Sequence, residues 1–317
     1  MTADRALFDR LPRLSDLVPF VPLADGLPTP VERVADGLWV KRDDRTSSVY
    51  GGNKVRKFEF VLPVAQRRGG PVVTAGGIGS HHVVAAAIYG TQLDLDVHAV
   101  LYPQPVTTDV ERTQLDVRRL GVTVTKVPNP YLMPFGVVAL MARLSTRRPY
   151  LLWPGASTPL GTLGYVSAGL ELVGSGIDPP DVVVVPLGSG GTAVGMALGL
   201  AVGGWLDTTV LAVRAADSTV TNAAVLEALA GATVALLAVG GWRPVRHRLE
   251  IVTSYLGRGY GAPTDAGQRA QRRAAAFGLE LEPTYSAKAF ACALDQVAQG
   301  QSTVFVNTFA GSNYSDR

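Results

Sequence analysis

Asp181-Val182-Val183-Val184-Val185-Pro186-Leu187-Gly188-Ser189-Gly190-Gly191-Thr192 is the stretch of this 317-residue chain that decides its fold. The four consecutive valines predict a strand that is buried on both faces, and such strands belong to parallel sheets covered by helices. The glycines that follow end the strand and open a helix. The stretch therefore predicts one βα unit of a layered α/β protein.

The same alternation of strand and helix recurs on both sides of this unit. Short apolar runs predict strands, and segments with helical periodicity separate them. The predicted strands are 37–41, 72–74, 97–102, 122–127, 150–153, 181–185, 210–213, 249–253 and 303–306. The predicted helices, besides the one that the glycines open, are 83–90, 109–120, 160–173, 221–229, 263–277 and 287–298. Two α/β units with mainly parallel sheets are expected to face a shared cleft.

Composition restricts the class of protein. Apolar residues make up 47% of the chain and charged residues 17%, which indicates a well-buried core. The formal net charge of +3 is scattered along the chain, so no nucleic-acid partner is expected. The single cysteine, Cys292, excludes an internal disulfide, and the histidines lack the spacing of a metal site. Without a signal peptide or an apolar run of membrane length, we expect a cytoplasmic protein with no membrane partner.

The loop after the valine strand has the features of a phosphate site. Its glycines let backbone N–H groups approach a ligand, Ser189 and Thr192 add hydroxyl donors, and the helix N-terminus supplies positive potential. The glycine spacing also satisfies a dinucleotide fingerprint, with Asp217 as the candidate ribose partner. A tight turn without a ligand is the third interpretation. A dinucleotide fingerprint usually lies at the first βα turn of its domain, so this downstream position favours a single phosphate.

A second glycine turn, in Gly51-Gly52-Asn53-Lys54-Val55-Arg56-Lys57, delivers a lysine to the predicted start of a helix. The run 37–41 precedes it, so Lys54 lies at a strand-turn-helix junction. The helix dipole and the cations Arg56 and Lys57 favour the neutral amine, which is the form that attacks an aldehyde. The local alternative is a surface lysine after an ordinary glycine turn. Lys54 is the first catalytic candidate.

A third polar loop, Ala75-Gly76-Gly77-Ile78-Gly79-Ser80-His81-His82, again lies between a strand and a helix. Backbone N–H groups at the helix start suit a substrate carboxylate, and Ser80 places a hydroxyl close to the reacting centre. Helix capping by Ser80 is compatible with this role. His81 and His82 cannot point the same way from a helix, so no metal pair is expected. We predict that one of them faces the cleft and that the other packs or meets solvent.

In combination, a lysine at a helix start, a carboxylate loop and a single-phosphate loop specify pyridoxal 5′-phosphate better than any other cofactor. The chain resembles the 1-aminocyclopropane-1-carboxylate deaminase and D-cysteine desulfhydrase family, which uses this cofactor and has fold type II. The resemblance runs in order from about Trp39 to Gly311. It rests on Gly51 to Lys57, Gly76 to Ser80, Gly188 to Thr192, Gly259-Tyr260-Gly261 with Pro263-Thr264, and Glu282-Pro283-Thr284-Tyr285 with Lys288.

The resemblance implies two three-layer α/β domains with the cofactor in the cleft between them. Residues 1–60 and 163–317 would form the large cofactor-binding domain, and residues 61–162 the small domain. We also expect a homodimer that acts on a small amino acid and needs no metal.

The resemblance also implies roles for single residues. Lys54 would bond to the cofactor aldehyde and move a proton on one face, and Ser80 would serve as acid or base on the opposite face. Tyr285 is the better candidate for substrate contact or nucleophilic work, whereas for Tyr260 a structural role is equally compatible. Thr308 would lie beside the pyridine nitrogen, where a neutral hydroxyl favours elimination. The implied cofactor contacts are Asn53, Lys54, His81, Gly188, Ser189, Gly190, Gly191, Thr192 and Thr308. The implied substrate contacts are Gly79, Ser80, His81, His82, Tyr260 and Tyr285.

Three positions depart from the family pattern. His81 stands where the family usually has an asparagine that supports the 3′-oxygen of the cofactor. Ser286 stands where deaminases have a glutamate as the partner of the pyridine nitrogen. The sequence Asn307-Thr308-Phe309-Ala310-Gly311 replaces a commoner His/Thr-Gly-Gly pattern. Loss of the glutamate argues against opening of the cyclopropane ring.

The favoured function is therefore α,β-elimination from a small amino acid, most like that of D-cysteine desulfhydrase, with release of a keto acid, ammonia and the leaving group. β-Substitution or deaminase-like chemistry on a specialised metabolite is the alternative with the same cofactor. A catalytically silent module that binds pyridoxal phosphate or a dinucleotide is the alternative outside the enzymes, and His81 and Phe309 motivate it. The substrate, its chirality and the pathway stay open.

Overall fold

The computed structural model describes residues 6–216, 218 and 221–309. Asp217 and the segment 310–311, both named above, lie outside the described residues. The strands are β1 Val31–Ala35, β2 Leu38–Lys41, β3 Val72–Gly77, β4 Val97–Tyr102, β5 Thr123–Lys126, β6 Tyr150–Leu151, β7 Val182–Leu187, β8 Thr209–Arg214, β9 Leu249–Val252 and β10 Thr303–Val306. The helices are α1 Ala6–Arg10, α2 Arg13–Leu17, α3 Asn53–Arg68, α4 His81–Gln92, α5 Thr108–Arg119, α6 Met133–Arg143, α7 Pro159–Val173, α8 Gly191–Gly203, α9 Ala223–Val239, α10 Asp265–Ala275 and α11 Ser286–Ala298.

The strands form two sheets, and both are covered by helices. The larger sheet has the order β1-β2-β10-β7-β8-β9, and the smaller has the order β5-β4-β3-β6. All neighbouring strands are parallel except β1 and β2. The predicted α/β class with mainly parallel sheets is confirmed, and each predicted strand is present with bounds that differ by at most a few residues.

Strand β7 is one of the two central strands of the larger sheet, and its valines are buried on both faces. Val183 and Val185 pack into the cluster formed with α7 and α8, whereas Val182 and Val184 pack into the cluster formed with α11. Burial of each valine side chain contributes about 1.5 kcal/mol or more. The all-valine run therefore holds two helical layers to one strand, and it places the glycine loop at the strand's carboxyl end.

Strand β1 is an element that the sequence analysis missed. It pairs antiparallel with β2 through a two-residue loop, Asp36-Gly37, in which Gly37 has a φ of +69°. Asp-Gly is a strong hairpin signal because glycine adopts a positive φ without strain. Helices α1, α2 and α6 were missed as well, and α9 extends ten residues beyond its predicted end at residue 229.

The two sheets draw on separate parts of the chain. The smaller sheet takes strands only from residues 72–151, whereas the larger sheet takes strands from residues 31–41 and 182–306. Helix α3 packs against both, since Phe58 and Val61 join the core of the smaller sheet and Phe60 joins that of the larger. Among the residues described, no helix combines the length and the apolar character needed to cross a membrane.

Candidate active site

Loops at the carboxyl ends of strands from both sheets enclose a cavity of ≈ 560 Å³. This is the edge of a parallel sheet at which ligands usually bind. All but one of the sequence-predicted site residues line the cavity, namely Asn53, Lys54, Gly79, Ser80, His81, His82, Gly188, Ser189, Gly190, Thr192, Tyr260, Tyr285 and Thr308. The exception, Gly191, is the first residue of α8, and its backbone N–H donates to Ser157 Oγ.

Lys54 occupies the second position of α3, as the glycine turn predicts. Gly52 precedes the helix with a φ of +83°, a conformation that a side chain would strain. Lys54 Nζ donates to Asn53 Oδ1 over 2.5 Å, and Asn53 Nδ2 donates to Thr192 Oγ1 over 3.1 Å. Burial lowers the pKa of Lys54 to about 8, against the opposing charge of Glu282. The turn therefore presents an amine that is partly neutral near physiological pH.

We expect this lowered pKa to appear in the pH dependence of amine labelling. At pH 7 about a tenth of the Lys54 amines are neutral, against roughly one in 2,500 for an ordinary lysine. Lys54 should therefore react with trinitrobenzenesulfonate in the cofactor-free protein with a midpoint near pH 8. Peptide mass spectrometry would measure the labelling, with the exposed Lys126 as the reference lysine. Equal pH profiles for the two peptides would contradict the prediction.

The start of α8 forms a cup suited to a phosphate. Gly190, with a φ of +96°, precedes the helix, and the N–H of Gly191 donates to Ser157 Oγ over 3.0 Å. Ser157 Oγ and Ser189 Oγ lie 2.7 Å apart. Lys57 Nζ reaches the same place, where it donates to Gly155 O over 3.1 Å. Two hydroxyls, a lysine side chain and a helix N-terminus thus meet at one point.

Lys57 shows that this cup fits an anion. The side chain is buried, and burial together with the charge of Lys54 holds the pKa of Lys57 well below its usual range. No carboxylate pairs with it among the described residues. A buried cation without an anion is costly, so a phosphate bound beside it offsets that cost. A Cβ atom on Gly191 would lie 2.7 Å from Ser157 Oγ and 3.1 Å from Lys57 Nζ. The residues therefore fit the phosphate of the implied cofactor.

Substituting Gly191 with alanine should weaken binding of pyridoxal phosphate about 10- to 100-fold. The added methyl group would displace the Ser157 hydroxyl or the Lys57 ammonium, and losing one charge-assisted hydrogen bond costs roughly 1.5–3 kcal/mol. Spectroscopic titration of the cofactor-free protein would measure the affinity. Gly231→Ala is the matched control, because a Cβ at this helical position has open space around it. Equal affinities of the two variants would contradict the prediction.

The loop after β3 offers a free hydroxyl but fewer free N–H groups than the sequence indicated. The N–H groups of Ile78, Gly79 and Ser80 already donate to Tyr102 O, Gln104 Oε1 and Gly77 O. Ser80 precedes α4, yet its side chain makes no capping hydrogen bond, so the capping role considered above is wrong. Within the described ranges its hydroxyl has no partner. The N–H groups left for a carboxylate are those of His81 and His82.

Both adjacent histidines line the cavity, in contrast to the prediction that only one would face it. His81 is half-buried and uses both ring nitrogens, since Nδ1 lies 2.6 Å from Tyr50 Oη and Nε2 lies 3.0 Å from Asp109 Oδ2. His82 is buried, and its Nε2 lies 2.9 Å from Thr74 Oγ1. Burial, and then the charges of two lysines, hold the pKa of His82 well below its usual range, so its ring is neutral.

The two predicted tyrosines meet in the cavity wall. The rings of Tyr260 and Tyr285 pack edge to face with centroids 5.9 Å apart. Glu282 orients Tyr285, because its carboxylate accepts the backbone N–H groups at positions 284, 285 and 286. Lys288 orients the Tyr260 loop by donating to two backbone carbonyls, those of Leu256 and Gly259. Burial raises the pKa of both tyrosines, so both present neutral hydroxyls.

Ser286 and Thr308 take different positions relative to the cavity. Ser286 is fully buried at the start of α11, where its hydroxyl accepts the N–H of Glu282 over 2.8 Å, and it does not line the cavity. Thr308 lines the cavity, and its carbonyl accepts the N–H of Asn53 over 3.3 Å. The glutamate of the deaminase pattern thus has no carboxylate substitute at residue 286.

Several residues of the site were not identified as functional from the sequence. Lys57 carried a signal, since it follows Lys54 by three residues and so shares its face of α3. Glu282 belongs to a recognised motif, but its capping role is visible only in the structure. Tyr50, Asp109 and Ser157 carried no local signal.

Comparison with known proteins assigns the chain to a family of enzymes that use pyridoxal phosphate. Residues 23–308 match the family described as pyridoxal-phosphate dependent enzyme. D-cysteine desulfhydrases from Salmonella paratyphi A and Salmonella typhi are each 32% identical over 292 residues, 86% of this chain and 87% of the relative.

Solved structures agree with this assignment. A structure described as an ACC deaminase homologue superimposes with a TM-score of 0.81 at 27% identity, covering 99% of this chain and 98% of that one. Threonine deaminase isoform 2 from Solanum lycopersicum has a TM-score of 0.64 at 18% identity, covering 98% and 90% of the two chains. The similarity to threonine deaminase supports the fold alone.

Proposed function

The chain belongs to the pyridoxal-phosphate-dependent enzyme family, and on that premise we propose that it catalyses α,β-elimination from a small amino acid. D-Cysteine desulfhydrase is the type of reaction we favour, in which a keto acid, ammonia and the leaving group are released. The observation that carries the proposal is the partly neutral Lys54 amine in the same cavity as the free Ser80 hydroxyl and the Lys57 phosphate cup.

The residues of the chain divide the work of such a reaction. When bound, pyridoxal phosphate supplies an electron-withdrawing ring that stabilises negative charge at the substrate α-carbon. Lys57, Ser157, Ser189 and the start of α8 would hold its phosphate. Lys54 would bond to its aldehyde and, once released, take a proton from the α-carbon or return one.

Ser80 and the tyrosines would act on the substrate itself. The Ser80 hydroxyl and the N–H groups at the start of α4 would bind the carboxylate. Because both tyrosines are held neutral, they would donate hydrogen bonds and orient the amino acid. A cavity of ≈ 560 Å³ has room for the cofactor and a small amino acid.

Elimination fits this site better than opening of a cyclopropane ring. The burial of Ser286 away from the cavity supports this preference, because no carboxylate from that position can stabilise a proton on the pyridine nitrogen. Thr308 provides a neutral hydroxyl at the cavity instead. A ring nitrogen without a proton is a weaker electron sink, which suits rapid loss of a good leaving group.

Product analysis of the holoenzyme tests the proposal. We would incubate it separately with D-cysteine, L-cysteine, D- and L-serine, β-chloroalanine and 1-aminocyclopropane-1-carboxylate, and measure keto acid and ammonia. Keto acid from cysteine or β-chloroalanine is the expected result. No keto acid from any of them would reject elimination. A new amino acid formed only when an added thiol is present would identify β-substitution, the second candidate.

We also propose the homodimer, the cytoplasmic location and the domain boundaries at residues 60–61 and 162–163. The apolar side chains exposed on and beside α6, among them Tyr131, Phe135 and Val138, support a homodimer because a partner would cover them. The single buried thiol of Cys292 suits a reducing compartment. The separate smaller sheet supports the inserted domain. Light scattering after size exclusion would measure the oligomeric state.

A further inference from the structure

Tyr50, His81 and Asp109 form a hydrogen-bonded chain along the cavity wall. They come from the turn before α3, the first residue of α4 and the first turn of α5. Tyr50 Oη lies 2.6 Å from His81 Nδ1, and His81 Nε2 lies 3.0 Å from Asp109 Oδ2. All three line the cavity. Tyr50 is buried, whereas the side chains of His81 and Asp109 are 24% and 30% exposed, so the chain leads from the interior towards solvent.

The directions of these hydrogen bonds follow from the donors and acceptors present. Burial of Asp109 opposes its ionisation, but the hydrogen bond and charge of His81 outweigh that effect and, with Arg112, hold the pKa of Asp109 below its usual range. An ionised carboxylate can only accept, so His81 Nε2 donates to it. His81 Nδ1 then either accepts from the Tyr50 hydroxyl or, when the ring carries a second proton, donates to it.

The surroundings fix this arrangement. The edge of His81 meets the Phe309 ring with centroids 5.3 Å apart at an angle of 88°. The Tyr89 hydroxyl donates to the backbone carbonyl of Tyr50, which holds that residue from behind. Burial keeps the pKa of Tyr50 well above its usual range. Tyr50 therefore cannot keep a negative charge, and it must regain a proton as it gives one up.

On the basis of the proposed elimination, we propose that Tyr50, His81 and Asp109 are a proton relay that protonates the leaving group of the substrate. The electron pair left on the α-carbon by removal of its proton forms a double bond to the β-carbon, while the bond from the β-carbon to the leaving atom breaks and its two electrons go to that atom. The leaving atom takes the Tyr50 proton, and the Tyr50 oxygen takes the Nδ1 proton of His81. The ring is left neutral with its Nε2–H still hydrogen-bonded to the Asp109 carboxylate, and solvent returns a proton to Nδ1 through the exposed part of the ring.

His81, at the position where the family usually has asparagine, thus has a role other than support of the cofactor. Both ring nitrogens are hydrogen-bonded to protein groups, so contact with the 3′-oxygen would break one of these two hydrogen bonds. Tyr50 is the catalytic residue of the relay. Asp109 is a positioning residue that fixes the ring of His81 by accepting its Nε2–H.

Substrates that differ in leaving group provide the test. Serine and cysteine release groups that benefit from protonation, whereas β-chloroalanine releases chloride, which needs no proton. In single turnovers of the holoenzyme, Tyr50→Phe should slow elimination from serine about 100-fold and change that from β-chloroalanine less than about threefold. His81→Asn should give the same pattern, and the double variant should lose no more than either single variant because both act in one relay.

Tyr150→Phe is the matched control, since this tyrosine lies on β6 and does not line the cavity. Its hydroxyl has no hydrogen bond within the described residues. Equal losses with serine and β-chloroalanine in Tyr50→Phe would overturn the relay and leave the elimination function standing. No turnover of any substrate by the wild-type enzyme would overturn the elimination function, and the leaving-group step with it.

A second measurement does not depend on turnover. The chain has four histidines, so ¹⁵N spectra of the imidazole rings are simple, and His81→Asn identifies the signal of residue 81. The relay predicts that Tyr50→Phe shifts the Nδ1 signal and that Asp109→Asn shifts the Nε2 signal. Unchanged ring signals in both variants would show that the hydrogen-bonded chain does not exist, and would overturn the proposal whatever the activities.

Discussion

Replacing Lys54 with alanine is expected to abolish the absorbance of lysine-bound pyridoxal phosphate and to lower kcat at least about 10³-fold. The amine of Lys54 is partly neutral near physiological pH, because burial lowers its pKa to about 8. Lys57 cannot replace it, since its Nζ is held at Gly155 O beneath the phosphate cup. The absorbance spectrum and the rate of keto-acid formation would be measured on the same preparation.

The exposed Lys126 on β5 offers the control, and Lys126→Ala should leave both readouts unchanged. Circular dichroism would establish that the Lys54→Ala protein is folded. An unaltered cofactor spectrum in folded Lys54→Ala would show that another residue bonds to the cofactor, and it would remove the basis of the proposed mechanism.

The largest effect on stability is expected from Arg56→Met, which should lower the free energy of unfolding by about 3–5 kcal/mol. Arg56 is 1% exposed, and its guanidinium lies 2.9 Å from Asp43 Oδ1 and 2.7 Å from Glu171 Oε2. Its removal leaves two buried carboxylates with Lys41 as the remaining cation, 3.0 Å from Glu171 and 3.7 Å from Asp43. The midpoint of urea unfolding would measure the loss.

Arg33→Met is the matched control, because the ion pair of Arg33 with Asp36 is exposed and such pairs contribute about 1 kcal/mol or less.

The pH dependence of the unfolding free energy gives a further check. Burial opposes ionisation of Glu171, but Arg56 and then Lys41 lower its pKa overall. The ionised Glu171 therefore stabilises the folded protein above the unfolded-state pKa of about 4.3, and this stabilisation is lost as the pH falls below that value. This acid dependence should weaken in Arg56→Met. Equal free energies of unfolding for Arg56→Met and Arg33→Met would contradict the stabilising role of Arg56.

The ionic cluster also connects stability to the site. Arg56 lies two residues after Lys54 in the first turns of α3, and Glu171 belongs to α7. The cluster thus anchors the lysine-bearing end of α3 to the helix that packs on α8, whose N-terminus forms the phosphate cup. The sequence shows a basic run, Arg56-Lys57, but each of these buried side chains has a partner more than 90 residues away, Glu171 for Arg56 and Gly155 for Lys57.

Local signals were sufficient where one segment decides its own structure. The bounds of β4 and β10 agree with those predicted, because a short apolar run bounded by turn residues is self-contained. The end of α9 was wrong by ten residues, since Gly231 looks like a stop signal but Thr233 and Leu237 pack into the core and carry the helix onward. The edge strand β1 carries charges that hid its alternation, and only its Asp-Gly turn marked it.

The order of the lysine turn, the carboxylate loop and the phosphate loop determined the cofactor and the fold class from the sequence by itself. Each of these is a contiguous segment in which glycines and a helix start create the chemistry locally. Only the tertiary structure decided which side chains complete them. Lys57 meets Ser157 at the phosphate cup, and Tyr50 meets His81 and Asp109 at the relay. Such contacts join residues that are distant in sequence, and their hydrogen bonds depend on how the two sheets and their helices pack, which leaves no periodicity or spacing in the chain.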